Sequence, residues 1–337
     1  MSLYCLRSFL ARTALAIAVS LYSIVLHAES VSFGGRTADL VVPSTYDSLN
    51  PASLIVLLHG YGQTSTSVDN YLKFSQLADE YGYLLLLPDG LVDDNGAGGT
   101  HQGWNATDFC CDFFPPAYDD STFLRGLIDT VRGQYSIDDG RIFVTGHSNG
   151  GFMSYRLACD HADIISAVVS LAGATFNTLT DCAPSRPVHI LQVHGTNDTA
   201  ILFNGGSNGG GVSYPSAAQT INLWRHYNGC TLTQDLSRPP QDLDNAVPGA
   251  ETTSIRFGDG CMEGGSSELW SVIGGSHGPA FDLDYTRAVV QFFYSNARSS
   301  QPLVHGTVPM MPFAAMFVLA SALFLARVYR WSPLGSD

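Results

Sequence analysis

Positive charge is scarce in this sequence. Lys and Arg together number 16 against 30 Asp and Glu, a formal net charge of -14 over 337 residues. Phosphate recognition needs concentrated cations, so this balance excludes nucleic acid as a partner. Metal-type cysteine spacing is missing too: Cys110 and Cys111 are adjacent, and the other cysteines stand alone, so none has the paired spacing of a zinc site. No internal repeat is visible, which excludes a solenoid, and the one glycine-rich stretch, 204–212, is short enough for a surface loop.

What is present at the two ends reads as addressing. Residues 1–28 combine Arg7 and Arg12, an apolar run from about Ala14 to Leu26 and a small-residue exit at Leu26-His27-Ala28, the layout of a cleavable secretory signal. Residues 308–328 are almost wholly apolar with no charge before Arg327, followed by a short tail at 329–337 that carries Arg330. A run of about 20 apolar residues can cross a bilayer, and the arginines fit a cytoplasmic edge, so a transmembrane or sorting helix is expected there, with attachment to the membrane through it. Residues 299–307 then form a linker, and residues 29–298 are expected to fold as a single domain outside the cytoplasm. With Cys5 in the leader, six cysteines remain in that domain. An even number in an exported chain suggests disulfides, in any of 15 connectivities.

Within the domain, short apolar runs alternate with helical periodicity. Val31 to Val42, broken at Gly34-Gly35, predicts a hairpin. Strands are expected at 54–58, 83–87, 141–145, 165–171, 188–193, 252–257 and 269–273. Helices are expected at 68–81, with Tyr71, Phe74, Leu77 and Ala78 on one face, at 119–135, with Phe123, Leu127, Ile128 and Val131 on one face, and at 149–159, 217–227 and 282–296. Repeated βα units with buried apolar strands imply an α/β fold: a mostly parallel sheet covered by helices on both faces.

One segment carries chemistry. Ile142 to Thr145 is an apolar strand, Gly146-His147-Ser148-Asn149-Gly150 follows, and a helix comes next. Strand, G-x-S-x-G, helix is the setting of a nucleophile elbow in an α/β-hydrolase fold, where glycines permit a sharp turn that presents the serine hydroxyl. A serine needs a base to take its proton and an acid to orient the base, in the chain order Ser, Asp or Glu, His. The strand 188–193 runs into His194-Gly195-Thr196-Asn197-Asp198, which makes Asp198 the acid. The strand 269–273 runs into Gly274-Gly275-Ser276-His277, which makes His277 the base; His189 and His194 precede Asp198, and His305 lies beyond the domain. Two backbone donors must hold the developing oxyanion. Asn149, after the nucleophile, supplies one, and Tyr61 in His59-Gly60-Tyr61-Gly62-Gln63 supplies the other. Trp104 and His147 are the candidates to touch substrate, although the area a tryptophan buries favours a core reading of Trp104.

Together, His59-Gly60-Tyr61-Gly62-Gln63, Gly103-Trp104-Asn105 before Cys110-Cys111, Gly146-His147-Ser148-Asn149-Gly150-Gly151, His194-Gly195-Thr196-Asn197-Asp198 and Gly274-Gly275-Ser276-His277 resemble the polyhydroxybutyrate depolymerase-like esterases, a group that merges with feruloyl and acetylxylan esterases. The resemblance covers roughly residues 30–297 and implies the same triad and oxyanion roles. It also implies disulfides Cys159–Cys182 and Cys230–Cys261, leaving Cys110 and Cys111 as a vicinal bridge or two thiols. Tyr61 stands where the family often has cysteine, and no tryptophan follows His277, which leaves the substrate open between polyester oligomers and hydroxycinnamoyl or acetyl esters. The expected partner is therefore an ester, with no metal or cofactor. A binding protein on the same fold that has lost catalysis is the competing class, and loss of a triad member would mark it.

Overall fold

A computed structural model of the chain describes residues 27–93, 101–111, 118–207 and 211–298. The apolar segment 308–328 and residues 1–26 of the leader lie outside these. Among the described residues, no helix is long and apolar enough to cross a membrane.

Nine strands form one sheet. In chain order they are β1 (His27–Phe33), β2 (Arg36–Val42), β3 (Ala52–Leu58), β4 (Tyr83–Pro88), β7 (Ile137–His147), β8 (Ala167–Leu171), β9 (His189–Gly195), β12 (Thr252–Phe257) and β13 (Ser266–Val272). Their spatial order is β1-β2-β4-β3-β7-β8-β9-β13-β12. The contacts from β4 through β13 are parallel, while β1, β2 and β12 attach antiparallel at the two edges. Two small hairpins, β5 (Leu91–Asp93) with β6 (His101–Gly103) and β10 (Gly206–Ser207) with β11 (Ser213–Tyr214), lie apart from it. Their strands of two or three residues are too short to show a period in the sequence, so no strand is expected there.

The central strands are mostly apolar because both faces are covered. Side chains alternate across the sheet: Leu54, Val56, Leu58, Ile142 and Val144 enter one core cluster, and Ile55, Leu57 and Phe143 enter the other. The first cluster packs against α3 (Asp120–Gln134) and α4 (Asn149–Asp160), through Leu124, Leu127, Ile128, Phe152 and Leu157. The second packs against α1 (Ser65–Leu72) and α6 (Leu283–Ser295), through Val68, Leu72, Val289 and Phe293, with the Phe143 and Phe293 rings stacked at 4.8 Å. Each buried side chain of this size contributes about 1.5–3 kcal/mol. A fifth long helix, α5 (Ala217–Tyr227), starts with a capping box between Ser216 and Gln219.

The single helix expected at 68–81 is broken. The α1 helix ends at Leu72, Lys73 takes φ 60° and donates its N–H to Asp69 O, a 3-10 turn covers Phe74–Leu77, and α2 spans Ala78–Tyr81. The cause is local: Asp69 Oδ1 accepts the Ser75 N–H at 2.9 Å, which competes with helix continuation. Phe74, Leu77 and Ala78 are still buried, and Tyr71 half-buried.

All the loops that matter for function leave the carboxyl ends of the parallel strands: 59–63 after β3, Ser148 after β7, Ala172-Gly173 after β8, Thr196–Asp198 after β9 and Ile273–His277 after β13. In open α/β sheets this edge is where ligands bind.

Candidate active site

Ser148 sits between β7 and α4 with φ 55° and ψ -117°, a region that non-glycine residues rarely adopt. Its N–H donates to Leu171 O at 2.8 Å and its carbonyl accepts the Phe152 N–H at 3.0 Å, so the turn is held from both sides. The elbow packs backbone on backbone. A Cβ at Gly150 would meet Leu58 O at 2.2 Å, and one at Gly146 would meet Gly150 at 2.5 Å. Glycine is required at both for this close approach.

Asp198 is buried, and its carboxylate is fully engaged. Oδ1 accepts the N–H groups of Ala200 (2.8 Å) and Ile201 (2.9 Å), while Oδ2 accepts His277 Nδ1–H at 2.7 Å. That bond fixes the His277 tautomer and leaves Nε2 as the basic nitrogen. Burial works to raise the Asp198 carboxyl, but hydrogen bonds from His194 and His277 outweigh it and hold the group well below the usual carboxylate range. The Asp198 and His277 loops are stitched together: Thr196 N–H donates to Val272 O, Asn197 N–H to Gly275 O, and Gly274 N–H to Thr196 Oγ1. A Cβ at Gly195 would meet Ser276 O at 2.3 Å.

His147, the neighbour of Ser148, reaches across to the same loop. Its Nε2–H donates to the His277 carbonyl oxygen at 2.9 Å, and the two rings lie 4.8 Å apart. Tyr71 braces the loop from the other side, donating its hydroxyl to Pro279 O at 2.8 Å. His147 is nearly inaccessible, 5% exposed, and burial, reinforced by the adjacent His277, lowers its imidazole to about 4. The sequence singles His147 out as a candidate substrate contact; here its ring is buried and its bond braces the His277 loop.

Trp104 is likewise fully buried, with Nε1–H donated to His59 O at 3.0 Å. Its backbone is clamped by Asn149, whose Oδ1 accepts the Trp104 N–H (2.7 Å) and whose Nδ2 donates to Trp104 O (2.9 Å). The next residue, Asn105, donates its N–H to Asp120 Oδ2 at 2.9 Å, and Arg36 pairs with the other carboxylate oxygen at 2.7 Å.

The loop after β3 is also fixed. His59 is fully buried, accepts the Gly90 N–H at Nε2 (2.9 Å) and donates Nδ1–H to Gly60 O (2.8 Å), so its ring is neutral, in line with burial lowering its pKa. Gly60 N–H donates to Gln63 Oε1 and Gly62 N–H to Gln102 O. Tyr61 is thereby held between two anchored residues. Asn149 is the first residue of α4, where backbone N–H groups have no carbonyl one turn earlier to pair with.

The cysteines pair as Cys159–Cys182, Cys230–Cys261 and Cys110–Cys111. The vicinal pair lies beside the site, with Asn149 Nδ2 3.5 Å from Cys110 Sγ.

Behind Asp198 stands a group of buried polar residues that the sequence reading does not identify as part of the site: His194, Gln192 and Tyr155. Gln192 and His194 lie two apart in β9 and so project to the same face. Two polar side chains inside a central strand are the signal that could have found them, since buried polar groups need partners.

A family model described as Esterase PHB depolymerase matches residues 38–215, which include Ser148 and Asp198. Feruloyl esterase B of Piromyces equi is 27% identical over 242 residues, covering 70% of this chain and 41% of that protein. Feruloyl esterase D of Neurospora crassa is 26% identical over 251 residues, covering 71% of this chain and 72% of that protein. The chain spans between 41% and 58% of the length of the first curated relatives it matches. Among solved structures, the acetyl xylan esterase from Aspergillus awamori superposes with a TM-score of 0.55 at 15% identity, over 79% of this chain and 99% of that one, which shows a shared α/β-hydrolase fold. With more than half of its length matched by the family model, this chain belongs to the esterase PHB depolymerase family.

Proposed function

We propose that the protein is a secreted serine hydrolase of carboxylic esters, with Ser148 as nucleophile, His277 as general base and acid, and Asp198 as the residue that orients it. The observation that carries this reading is the 2.7 Å bond from His277 Nδ1 to a buried Asp198, on a loop tied by His147 to the serine elbow. His277 Nε2 takes the Ser148 proton as Oγ attacks the ester carbonyl carbon. The N–H groups of Asn149 and Tyr61 hold the oxyanion of the tetrahedral intermediate. That intermediate collapses as His277 returns the proton to the departing alcohol, leaving an acyl-serine; water, deprotonated by the same histidine, then releases the acid and restores the serine. The chemistry uses only side chains, two backbone N–H groups and water.

The substrates proposed are short polyester oligomers and hydroxycinnamoyl or acetyl esters. One turn along α4 from Ser148, Phe152 packs on Phe109, which borders a cleft of about 250 Å³ lined also by Phe176, Asn177, Val212 and Ser213. Two phenylalanines with hydrogen-bonding neighbours suit an ester that carries an apolar group of modest size. The paired cysteines support an oxidising compartment.

The test is hydrolysis of p-nitrophenyl acetate and butyrate, methyl ferulate, acetylated xylan and hydroxybutyrate oligomers by the wild type and by Ser148→Ala. Hydrolysis that vanishes in the variant supports the reading, and the preferred ester selects the substrate class. Two folded proteins with no hydrolysis of any ester would overturn it in favour of a binding protein.

A further inference from the structure

The Asp198 carboxylate has a second histidine. His194, at the end of β9 and 1% exposed, holds Nε2 3.2 Å from Asp198 Oδ2, the same oxygen that accepts His277 Nδ1–H. The same Nε2 lies 2.8 Å from Ile201 O. Its other nitrogen, Nδ1, lies 3.0 Å from Gln192 Nε2.

The partners settle where the protons are. Gln192 Oε1 accepts the Tyr155 hydroxyl at 2.6 Å and Nε2 donates to Gly173 O at 2.8 Å, so the amide cannot be turned over without setting two oxygens against each other. The second Nε2 hydrogen of Gln192 therefore points at His194 Nδ1, which accepts it. The His194 ring then carries its proton on Nε2, which donates to Ile201 O at 2.8 Å and stands 3.2 Å from the carboxylate. Gln192 and Tyr155 are both fully buried.

Tyr155 belongs to α4, the helix that Ser148 begins. A continuous line of buried and half-buried polar contacts thus runs from α4 through Tyr155, Gln192 and His194 to Asp198, on to His277, and through its carbonyl to His147, the residue beside Ser148. Few groups in a protein can be displaced independently when their donors and acceptors are mutually committed in this way.

We propose that His194 is a positioning residue for the catalytic acid: as an Nε2–H donor whose tautomer is set by Gln192, it fixes the Asp198 carboxylate in the orientation that receives His277. This rests on the reading of Ser148, Asp198 and His277 as a triad. The N–H groups of Ala200 and Ile201 hold Oδ1, and His194 is the second group set against Oδ2, the oxygen that receives His277. The role differs from that of His277, because His194 touches no reacting atom.

Three proteins test it: wild type, His194→Phe, which keeps a buried ring without the donor, and His194→Gln, whose amide nitrogen can occupy the position of Nε2. His194→Phe is expected to lose about 10- to 100-fold in kcat with KM nearly unchanged, as for a lost hydrogen bond to a charged group, and His194→Gln to recover most of the loss. Wild-type kcat in His194→Phe overturns the proposal, as does an equal loss in both variants, which would mark packing alone. A second measurement needs no turnover and no change at His194. In Ser148→Ala protein carrying isotope-labelled histidine, nitrogen NMR is expected to find His194 protonated at Nε2 and not at Nδ1. The opposite tautomer, or a doubly protonated ring, overturns the proposal even where His194→Phe fails to fold. A wild type inactive on every ester, with His194 in the expected tautomer, defeats the esterase reading and leaves the hydrogen-bond network standing.

Discussion

At the scale of single residues, histidine is the residue whose setting decides its role. His277 is aligned by a carboxylate, His59 and His147 are held neutral by burial, and His147 lends its one donor to the backbone that carries His277. Burial lowers both His147 and His189 to about 4, helped at His147 by His277 and at His189 by Arg256 and Arg298. In the unfolded chain these rings take up a proton near pH 6.5, whereas the folded protein resists protonation until about pH 4. The unfolded state therefore binds more protons within that window, and stability falls as the pH falls from about 6.5 to about 4. The loss is on the order of 3 kcal/mol for each ring. Urea unfolding at pH 7, 5.5 and 4.5 is expected to show midpoints that drop steeply, and less steeply in His147→Asn. A midpoint independent of pH across this range contradicts the account of these two rings.

At the scale of elements, the site is built by loops that press together at glycine. The Asp198 loop and the His277 loop meet where Gly195 faces Ser276 O, with no room for a Cβ. Gly195→Ala is expected to push the His277 loop outward and cut kcat/KM by about 10²-fold or more, the cost of displacing a reacting group by around 1 Å. The far-UV circular dichroism should be nearly unchanged, because Gly195 is the last residue of β9 and the rest of the strand is not touched. Full activity in Gly195→Ala would show that the loops do not need this contact. Legibility in the sequence follows the same division. The parallel strands could be read because Ile55, Leu57 and Phe143 alternate with Leu54, Val56 and Val144 inside runs that are apolar throughout, and helix 217–227 because its cap and periodicity agree. The break at Lys73 could not, since Asp69 turning back on Ser75 is a side-chain choice that periodicity does not encode. The hairpin at 91–93 and 101–103 lies below the length at which a period shows.

At the scale of the whole molecule, the chain order of the motifs carries the candidate site. Ser148, Asp198 and His277 stand far apart in sequence, and a parallel sheet with its loops on one edge is what sets the Asp198 and His277 loops against each other and, through His147, against the serine elbow. Order alone could point to those three, because each follows a strand and the fold dictates the sequence of roles. It could not point to the Asn149 clamp on the Trp104 backbone, to His147 as a brace, or to Tyr155, Gln192 and His194 as a group, because those assignments depend on which side chains meet across different strands and helices. The central claim is that Ser148 is a nucleophile activated through His277. Its most direct test is intact-mass and peptide mapping after treatment with a serine-reactive fluorophosphonate, comparing wild type, Ser148→Ala and His277→Ala. The account predicts one equivalent of adduct on the peptide containing Ser148, none in Ser148→Ala, and strongly slowed labelling in His277→Ala. Equal labelling of Ser148→Ala, or no labelling of the folded wild type, would contradict it.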